Sequence, residues 1–366
     1  MELTQIQKEI VDTVPCNPVG RLLLSPRTGK TPIVLSLIKR DKPKNILWIT
    51  PSAELAETII PSEFVKFKAS KFLKNLTTST WKSLPKVEGH FDYIVLDEEQ
   101  YLTKNNLKTI LNGKLTYKAL ISMTGTPTKS YLKNQILNSL NLPILYDTSI
   151  SEAVNLGLLA NYQINIINVE LSSLNTIEIS TPKHRFKTSE KKQYDYVNRV
   201  TEKAIAERER NMKYKILMRM RLIYENQSKF QKAFSMFHSD QLKDHRKMIF
   251  CPTIKQATAM CEFTYHSKTD DTHLIDFVNG KINSISMVNS GGTGFTYKEV
   301  DDLFLIQADS DINGYTSQKI CRALLKQADH FVTIWIFLLK GTKDEEWVNS
   351  ALKNFNPENI NYDYQF

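Results

Sequence analysis

The sequence predicts an α/β protein with two parallel sheets, each in its own domain. The chain has 366 residues, more than one domain usually holds, and its 41% hydrophobic and 24% charged residues are typical of a folded protein. In both halves, short apolar runs alternate with amphipathic stretches. We therefore predict one domain over residues 1–150 and a second over residues 151–366, with a linker near Asp147–Ala160.

Apolar runs in the first half have the length and composition of buried strands, and the stretches between them are predicted helices. In chain order, these strands and helices are Arg21–Leu24, Pro32–Lys39, Ile46–Ile49, Ala53–Phe64, Tyr93–Leu96 and Ala119–Met123. This alternation indicates a parallel sheet with helices on both faces. Ligands of such sheets bind at the loops that follow the carboxyl ends of the strands.

The second half shows the same alternation, with a basic helical insertion over about residues 183–245. Within it, Glu190–Tyr224 lacks Gly and Pro and is predicted to form one or two long helices. Residues 181–230 carry 14 Lys and Arg against six Asp and Glu, which nearly accounts for the net charge of +9. This concentrated charge suits a polyanionic partner. The predicted strands are Tyr162–Glu170, Lys247–Cys251, Ser284–Val288, Asp302–Ile306 and Phe331–Phe337.

The composition argues against several other classes of protein. Cys16, Cys251, Cys261 and Cys321 show neither a C-x-x-C pair nor a metal-ligand spacing with the seven histidines, so we expect reduced thiols in a cytoplasmic protein. The longest apolar run, Phe331–Leu339, is too short to cross a bilayer, and the N-terminus lacks a secretion signal. We therefore expect no membrane partner.

A candidate phosphate-binding loop, SPRTGKT, follows the first predicted strand and precedes a helix. Its backbone N–H groups would surround the phosphates, Lys30 would contact the β- and γ-phosphates, and the Thr31 hydroxyl would bind Mg²⁺. Leu24 stands where such loops usually have an early glycine. The residues predicted to bind the nucleotide here are Arg27, Thr28, Gly29, Lys30 and Thr31.

A second candidate site begins where the apolar run Tyr93–Leu96 leads directly into the acidic sequence DEEQ. A buried strand would place these carboxylates at its carboxyl end, the same edge as the phosphate loop. Asp97 would then bind Mg²⁺, and Glu98 would orient and deprotonate the attacking water.

These segments resemble the motifs of superfamily 2 helicases and translocases, and the resemblance covers nearly the whole chain. Leu96–Gln100 resembles the D-E-x-x box, and Thr124–Pro127 resembles the T-G-T-P of motif III, which links nucleotide state to nucleic-acid contacts. The resemblance implies an α/β fold of two tandem RecA-like domains with parallel sheets, the basic helical insertion lying in the second. It implies ATP and Mg²⁺ as cofactors.

Further motifs of the family can be placed in the first domain. Leu3–Gln7 resembles the opening motif whose glutamine contacts adenine, which points to Gln7. Ile49–Ser52 and Thr77–Trp81 resemble the motifs that hold the nucleic-acid backbone. The residues implied to contact nucleic acid are Thr50, Pro51, Ser52 and Thr80.

In the second domain, Met248–Thr253 resembles motif IV, and Ser290–Phe295 resembles the glycine-rich motif V. Glycines at such a place let the backbone approach a ligand closely. The resemblance assigns nucleic-acid contact to Thr253, Gly291, Gly292 and Thr293 and nucleotide contact to Gly294.

Motif VI departs from the family pattern. In Gln318–Leu325, Gln318 and Arg322 match the expected catalytic positions, but Leu325 replaces the final arginine. An arginine finger is worth about 10³-fold or more in rate in related chemistry. The departure implies slow hydrolysis, reliance on Arg322 alone, or help from a partner.

The basic insertion is predicted to contact phosphates through Arg208, Lys213 and Arg219, which are interleaved with Tyr214. A solvated helix face would show the same charge pattern, so that alternative stays open.

The resemblance implies an ATP-dependent DNA helicase or translocase of the compact phage type. Its expected partners are single-stranded, forked or duplex DNA and phage replication or recombination proteins, in the cytoplasm of a bacterial or phage-infected cell. Three alternatives remain: a duplex translocase or annealing enzyme that separates no strands, a nucleotide-dependent DNA clamp or scaffold with weak ATPase activity, and an RNA helicase. The clamp is suggested by Leu24, Cys321 and Leu325, and RNA is disfavoured because DEEQ is not the D-E-A-D box.

Overall fold

The computed structural model describes residues 3–26, 28–125, 127–128, 130–180, 185–288, 297, 299–308, 315–324, 330–362 and 364. The chain divides into two units. Unit 1 comprises Met1–Ala160 and Asp311–Lys326, and unit 2 comprises Asn161–Ser310 and Gln327–Phe366. The chain therefore leaves unit 2 for a short segment and then returns to it.

Unit 1 is built on a six-stranded parallel sheet with the strand order β3-β2-β4-β5-β1-β6. The four predicted strands form its centre, and the two edge strands were not predicted. Edge strand β3 is rich in threonine, and edge strand β6 ends at the start of the segment predicted to be the linker. The strands are β1 Val19–Leu24, β2 Ile46–Thr50, β3 Leu76–Thr80, β4 Gly89–Asp97, β5 Leu115–Thr124 and β6 Ile144–Thr148.

Both faces of this sheet are buried. Alternate residues of β2 show the pattern, since Ile46 and Trp48 belong to the apolar core on one face while Leu47 and Ile49 belong to the core on the other. Such a strand reads as a continuous apolar run. The helices of unit 1 are α1 Gln5–Thr13, α2 Lys30–Asp41, α3 Ile60–Lys66, α4 Lys104–Leu111, α5 Tyr131–Asn138, α6 Ile150–Asn155 and α12 Tyr315–Ala323.

Unit 2 has a seven-stranded parallel sheet with the order β11-β12-β10-β13-β14-β7-β15 and a separate antiparallel pair, β8 and β9. The two parallel sheets confirm the predicted fold class. The five predicted strands are present, and the two short edge strands were not predicted. The strands are β7 Asn161–Val169, β8 Ile177–Ser180, β9 Arg185–Thr188, β10 Lys247–Cys251, β11 Thr264–Tyr265, β12 Ser284–Val288, β13 Asp302–Leu305, β14 Phe331–Leu339 and β15 Ile360–Asn361.

The basic insertion folds as successive helices between β9 and β10. The predicted Glu190–Tyr224 stretch forms two helices that pack against each other, and a third follows. The helices of unit 2 are α7 Glu190–Ala206, α8 Met212–Tyr224, α9 Gln227–Phe237, α10 Ile254–Met260, α11 Thr272–Val278 and α13 Lys343–Leu352.

A buried ion pair fastens the insertion to the rest of unit 2. Nζ of Lys229 in α9 lies 2.5 Å from Oδ2 of Asp344 in α13, and neither side chain is exposed. The same carboxylate oxygen accepts a hydrogen bond of 3.0 Å from the backbone N–H of Leu339. Burial raises the pKa of Asp344, and the charge of Lys229 opposes that rise. Each of the two buried side chains therefore needs the other to remain charged.

Replacing Lys229 with methionine would leave the Asp344 carboxylate buried without its cation. We expect Lys229→Met to lower the free energy of unfolding by about 3–5 kcal/mol, measured by chemical denaturation followed by tryptophan fluorescence and circular dichroism.

The double variant Lys229→Met, Asp344→Asn removes both charges and keeps an acceptor for Leu339, so we expect it to recover most of the lost stability. Lys232→Met, on the same helix but partly exposed, is the matched control and should change stability by less than about 0.5 kcal/mol. A single variant as stable as the control would contradict a structural role for the pair.

Candidate nucleotide-binding site

Three adjacent strands bring the phosphate-loop lysine to the acidic motif. Because β4, β5 and β1 are neighbours in a parallel sheet, the segments that follow them meet at one edge. Lys30, the first residue of α2, donates a hydrogen bond of 2.7 Å from Nζ to Oε1 of Glu98. These side chains are only 16% and 22% exposed. The structure thus joins two predicted site residues that lie 68 positions apart.

Gly29 holds the phosphate loop in a conformation that favours glycine. Its φ of 81° is in the left-handed region, and a Cβ there would lie 2.2 Å from Nε2 of Gln7. Gln7 donates a hydrogen bond of 2.9 Å from Nε2 to the carbonyl oxygen of Thr28, so α1 is tied to the loop. Within α1, Gln7 also completes a capping box with Thr4. Gln7, predicted to contact adenine, therefore lies against the phosphate loop.

The loop after β5 approaches the same lysine closely. A Cβ on Gly125 would lie 3.1 Å from Nζ of Lys30 and 3.1 Å from the ring of Pro26. The glycine of the T-G-T-P motif thus leaves space beside Nζ of Lys30, and any larger residue at position 125 would reduce that space.

Glu98 is the centre of a hydrogen-bond network. Besides Lys30, its carboxylate accepts a bond of 2.9 Å from Nε2 of Gln100, and the Thr124 hydroxyl donates a bond of 2.9 Å to Oε1 of Gln100. Burial opposes ionisation of Glu98, but the charge and hydrogen bond of Lys30, with the bonds from Gln100 and Thr124, hold its pKa below the usual value. These contacts therefore favour the ionised form of Glu98. The network also links the acidic motif to the end of β5.

Asp97 has the opposite electrostatic setting. Burial, together with the neighbouring charge of Glu98, raises the pKa of Asp97 to about 7, although Lys30 opposes the rise. Its backbone carbonyl oxygen accepts a hydrogen bond of 2.8 Å from Nε1 of Trp81, which fixes this end of β4. The surroundings of Asp97 thus disfavour its ionised form, which a nearby cation would stabilise.

Glu99 has a structural role that the sequence analysis missed. It is 1% exposed and accepts two hydrogen bonds from Arg21, of 3.0 Å and 2.5 Å, and one of 2.8 Å from the hydroxyl of Ser122. The available signal was an arginine inside the otherwise apolar strand β1, because a buried arginine needs an anionic partner. This pair holds the acidic motif against β1 and β5.

The helix that carries the motif VI residues belongs to unit 1. Gln318, Cys321 and Arg322 lie on α12, which follows β13 in the chain but clusters with unit 1. Burial lowers the pKa of Lys30, but the charges of Glu98 and Asp97 outweigh it and raise that pKa overall. Cys321, which is fully buried, lies close enough to make a smaller contribution to the rise. The structure therefore brings α12 to the phosphate loop.

The residues predicted to hold the nucleic-acid backbone in unit 1 lie at adjacent strand ends. Thr50 and Thr80 are register partners in β2 and β3, so the Thr50–Ser52 segment adjoins Thr80. Thr50 is buried and donates a hydrogen bond of 2.9 Å to the carbonyl oxygen of Ser52. In unit 2, Thr253 caps the N-terminus of α10 and accepts a bond of 3.2 Å from the backbone N–H of Gln256.

The three predicted cations of the insertion differ in exposure. Arg208 and Lys213 are exposed, as a phosphate contact requires. Arg219 is only 5% exposed, and its guanidinium pairs with Glu202 and donates a hydrogen bond of 2.8 Å to Asn198. Arg219 therefore holds α8 against α7, and we do not include it in the proposed nucleic-acid interface.

Some predicted site residues lie outside the residues that the structure describes. They are Arg27, Gly291, Gly292, Thr293, Gly294 and Leu325.

Comparison with known proteins shows the fold. No protein family model and no curated protein matches the chain. Among solved structures, the ATP-dependent Type ISP restriction-modification enzyme LlaBIII bound to DNA is similar, with a TM-score of 0.62 and 14% identity over 97% of this chain and 30% of that one. The Hef helicase domain of Pyrococcus furiosus is similar as well, with a TM-score of 0.55 and 14% identity over 95% of this chain and 98% of that one.

The chain has a helicase-like fold of tandem RecA-like domains, as predicted, and it spans less than a third of the restriction enzyme. Among the described residues, no helix is long and apolar enough to cross a membrane, and no group of three or more His, Cys, Asp or Glu side chains could hold a metal ion.

A methyl group on Gly29 would clash with Gln7. We expect Gly29→Ala to lower the free energy of unfolding by about 1–3 kcal/mol, from the positive φ together with the contact, measured by chemical denaturation. Gly113→Ala is the matched control, because Gly113 has a φ of 80° and open space around it. Both variants place a Cβ at a positive φ and should lose stability for that reason. Equal losses in the two variants would show that Gln7 moves aside without lowering stability, which would contradict the prediction.

The raised pKa of Asp97 predicts a pH dependence of stability. Its folded-state pKa of about 7 exceeds the ordinary 3.8, so this contribution is fully present below about pH 4 and is lost as the pH rises through 7. In metal-free protein, we expect Asp97→Asn to gain stability relative to wild type over that window, measured by denaturant titration at several pH values.

Glu98→Gln provides the opposite case. Because the folded state holds the pKa of Glu98 below its ordinary 4.5, the ionised side chain stabilises the fold above pH 4.5. This stability is lost as the pH falls through the folded-state pKa. Parallel pH profiles for the two variants would contradict this assignment.

Proposed function

We propose that the protein binds Mg²⁺–ATP at the phosphate loop of unit 1 and couples ATP hydrolysis to movement on DNA or remodelling of DNA. The observation that carries the proposal is the largely buried Lys30–Glu98 pair at the N-terminus of α2, where Gly125 approaches Nζ of Lys30 and Gly29 takes a left-handed conformation. A helix N-terminus with a lysine and closely approaching glycines fits a polyphosphate.

The residues present fit the cofactors. Lys30 would contact the β- and γ-phosphates, while Thr31 and Asp97 would hold Mg²⁺, for which oxygen ligands are the preferred donors. When bound, Mg²⁺–ATP supplies the phosphoanhydride and the cation that neutralises its charge. Asp97, whose ionisation is disfavoured by its surroundings, gains a cationic partner.

Glu98 is the residue proposed to orient the attacking water and accept its proton. Gln100 and Thr124 hold the network around it, and Lys30 lowers its pKa, so loss of the Lys30 contact would make the carboxylate a stronger base. Before nucleotide binds, Glu98 neutralises Lys30. Phosphate at Lys30 would compete with this ion pair and leave the carboxylate available to orient water.

Gln318 and Arg322 on α12 are proposed to act on the phosphates as the family's motif VI residues do. Leu325 in place of the final arginine favours slow hydrolysis. A second candidate function, a nucleotide-dependent DNA clamp with weak ATPase activity, is favoured by this substitution and by Leu24 in the phosphate loop.

DNA is the proposed partner. The strand ends at Thr50–Ser52 and Thr80, Thr253 of unit 2, and the exposed Arg208 and Lys213 are the proposed contacts. The DNA-bound state of the similar restriction enzyme supports DNA over RNA. Strand separation, duplex translocation and annealing are distinguished by the form of DNA that stimulates hydrolysis.

We expect ATP hydrolysis to be stimulated several-fold or more by one form of DNA and to fall by at least about a hundredfold in Lys30→Ala, which loses the cation at the phosphates. The measurement is steady-state ATPase activity without nucleic acid and with single-stranded DNA, duplex DNA, forked DNA and RNA. Lys108→Ala, an exposed lysine on α4, is the matched control and should retain activity.

The stimulating form identifies the substrate. Strong stimulation by RNA alone would select the RNA helicase alternative. DNA binding that depends on nucleotide but gives no stimulated turnover would select the clamp.

A further inference from the structure

The sheet of unit 2 carries a row of polar residues at the amino ends of its strands. Asp302, Thr333 and Gln163 are register partners across β13, β14 and β7. In the next row on the same face, Trp335 of β14 is the partner of Asn165 of β7. Three neighbouring strands thus present polar groups side by side.

This polarity is not required by the fold. Strands of a parallel sheet with both faces covered are normally apolar throughout. Further along the same strands, Ile167, Val169, Phe337 and Leu339 follow that rule and belong to the apolar core of unit 2. The apolar core therefore ends at Trp335, and polar residues occupy the amino ends of the strands.

The polar rows line a cavity of about 480 Å³, within the range of small-molecule sites. Asn165, Asp302 and Trp335 form its floor and are 4%, 1% and 4% exposed. Its walls include Gln163, Thr333, His245 and Phe331, of which Phe331 is 52% exposed.

The amide of Asn165 lacks a protein partner. Although Asn165 is 4% exposed, its side chain makes no hydrogen bond among the part of the chain that the structure describes, and it borders the cavity. The amide atoms remain accessible from the cavity, so a ligand there that can both donate and accept would bond them directly.

The charges of the site are already paired. Asp302 accepts a hydrogen bond of 2.7 Å from Nε1 of Trp335, and its other oxygen lies 2.6 Å from Nδ1 of His245. Its carboxylate is therefore engaged with protein donors and does not favour a cation. The remaining polar side chains of the lining are neutral, and they are Asn165, Gln163, Thr333, Asn361 and Tyr364.

We propose that this cavity binds an unpaired nucleobase. An asparagine or glutamine amide presents a donor beside an acceptor, which matches the edge of a base. The exposed ring of Phe331 offers a stacking surface. The base comes either from a free nucleoside or from a nucleic-acid strand, and the cavity has room for a nucleoside. This site uses no residue of unit 1 and goes beyond the proposed ATPase.

The test is a calorimetric and NMR titration of the full chain with adenosine, guanosine, cytidine and thymidine. Asn165 and Gln163 belong to unit 2, so binding that depends on them reports on this cavity and not on the candidate site of unit 1. We expect at least one nucleoside to bind. Asn165→Ala and Gln163→Ala should each weaken that binding about tenfold, since each removes a hydrogen-bonding group.

Gln163 is partly exposed, so Gln163→Ala keeps the test valid if Asn165→Ala fails to fold. Gln193→Ala, a partly exposed glutamine of α7 that does not line this cavity, is the matched control and should bind as the wild type does. A short oligothymidylate that binds more tightly than thymidine, with the same dependence on Gln163, would identify a strand as the source of the base. Equal affinities would identify the free nucleoside.

The proposal is overturned if no nucleoside binds at millimolar concentration, if Gln163→Ala and Asn165→Ala bind as Gln193→Ala does, or if ribose alone binds as well as the nucleosides. These outcomes do not depend on ATP hydrolysis. The proposed function and this site can therefore fail separately.

Discussion

The ion pair between Lys30 and Glu98 is the interaction on which the candidate site depends. Lys30 begins α2, and the N-terminus of a helix carries a partial positive charge that disfavours a cation. A largely buried lysine in that place requires an anion, and Glu98 supplies it at 2.7 Å. A phosphate can replace the carboxylate because both satisfy the same helix terminus and the same ammonium group. The arrangement that stabilises Lys30 thus also suits the proposed nucleotide site.

A layer of buried polar contacts holds this pair in position. Arg21 and Ser122 fix Glu99 against two strands, and Thr124 fixes Gln100, so two neighbours of Glu98 are anchored to the sheet. Each of these contacts joins residues that are far apart in sequence, and the parallel order of β4, β5 and β1 makes all of them possible. The acidic motif therefore has a defined geometry before any ligand binds.

Unit 2 uses buried polar groups in two other ways. Lys229 and Asp344 neutralise each other and connect the insertion to the last long helix. This pair is closed to solvent, whereas the amide of Asn165, at the amino end of the sheet, borders a cavity. The cavity can therefore bind a ligand, and the ion pair contributes only to stability.

The sequence by itself determined the central strands, because strands buried on both faces are continuous apolar runs, and it located Lys30, Asp97 and Glu98 at their ends. It could not show the edge strands β3 and β15, which are short and partly polar, or the buried state of Arg219, whose charge looks the same whether it faces Glu202 or solvent. Only the tertiary structure decided which side chains meet: Glu99 with Arg21, α12 with the phosphate loop, and Asn165 with the cavity. Periodicity records which face of an element is buried, whereas partners across a sheet depend on strand order, and strand order is a property of the folded chain.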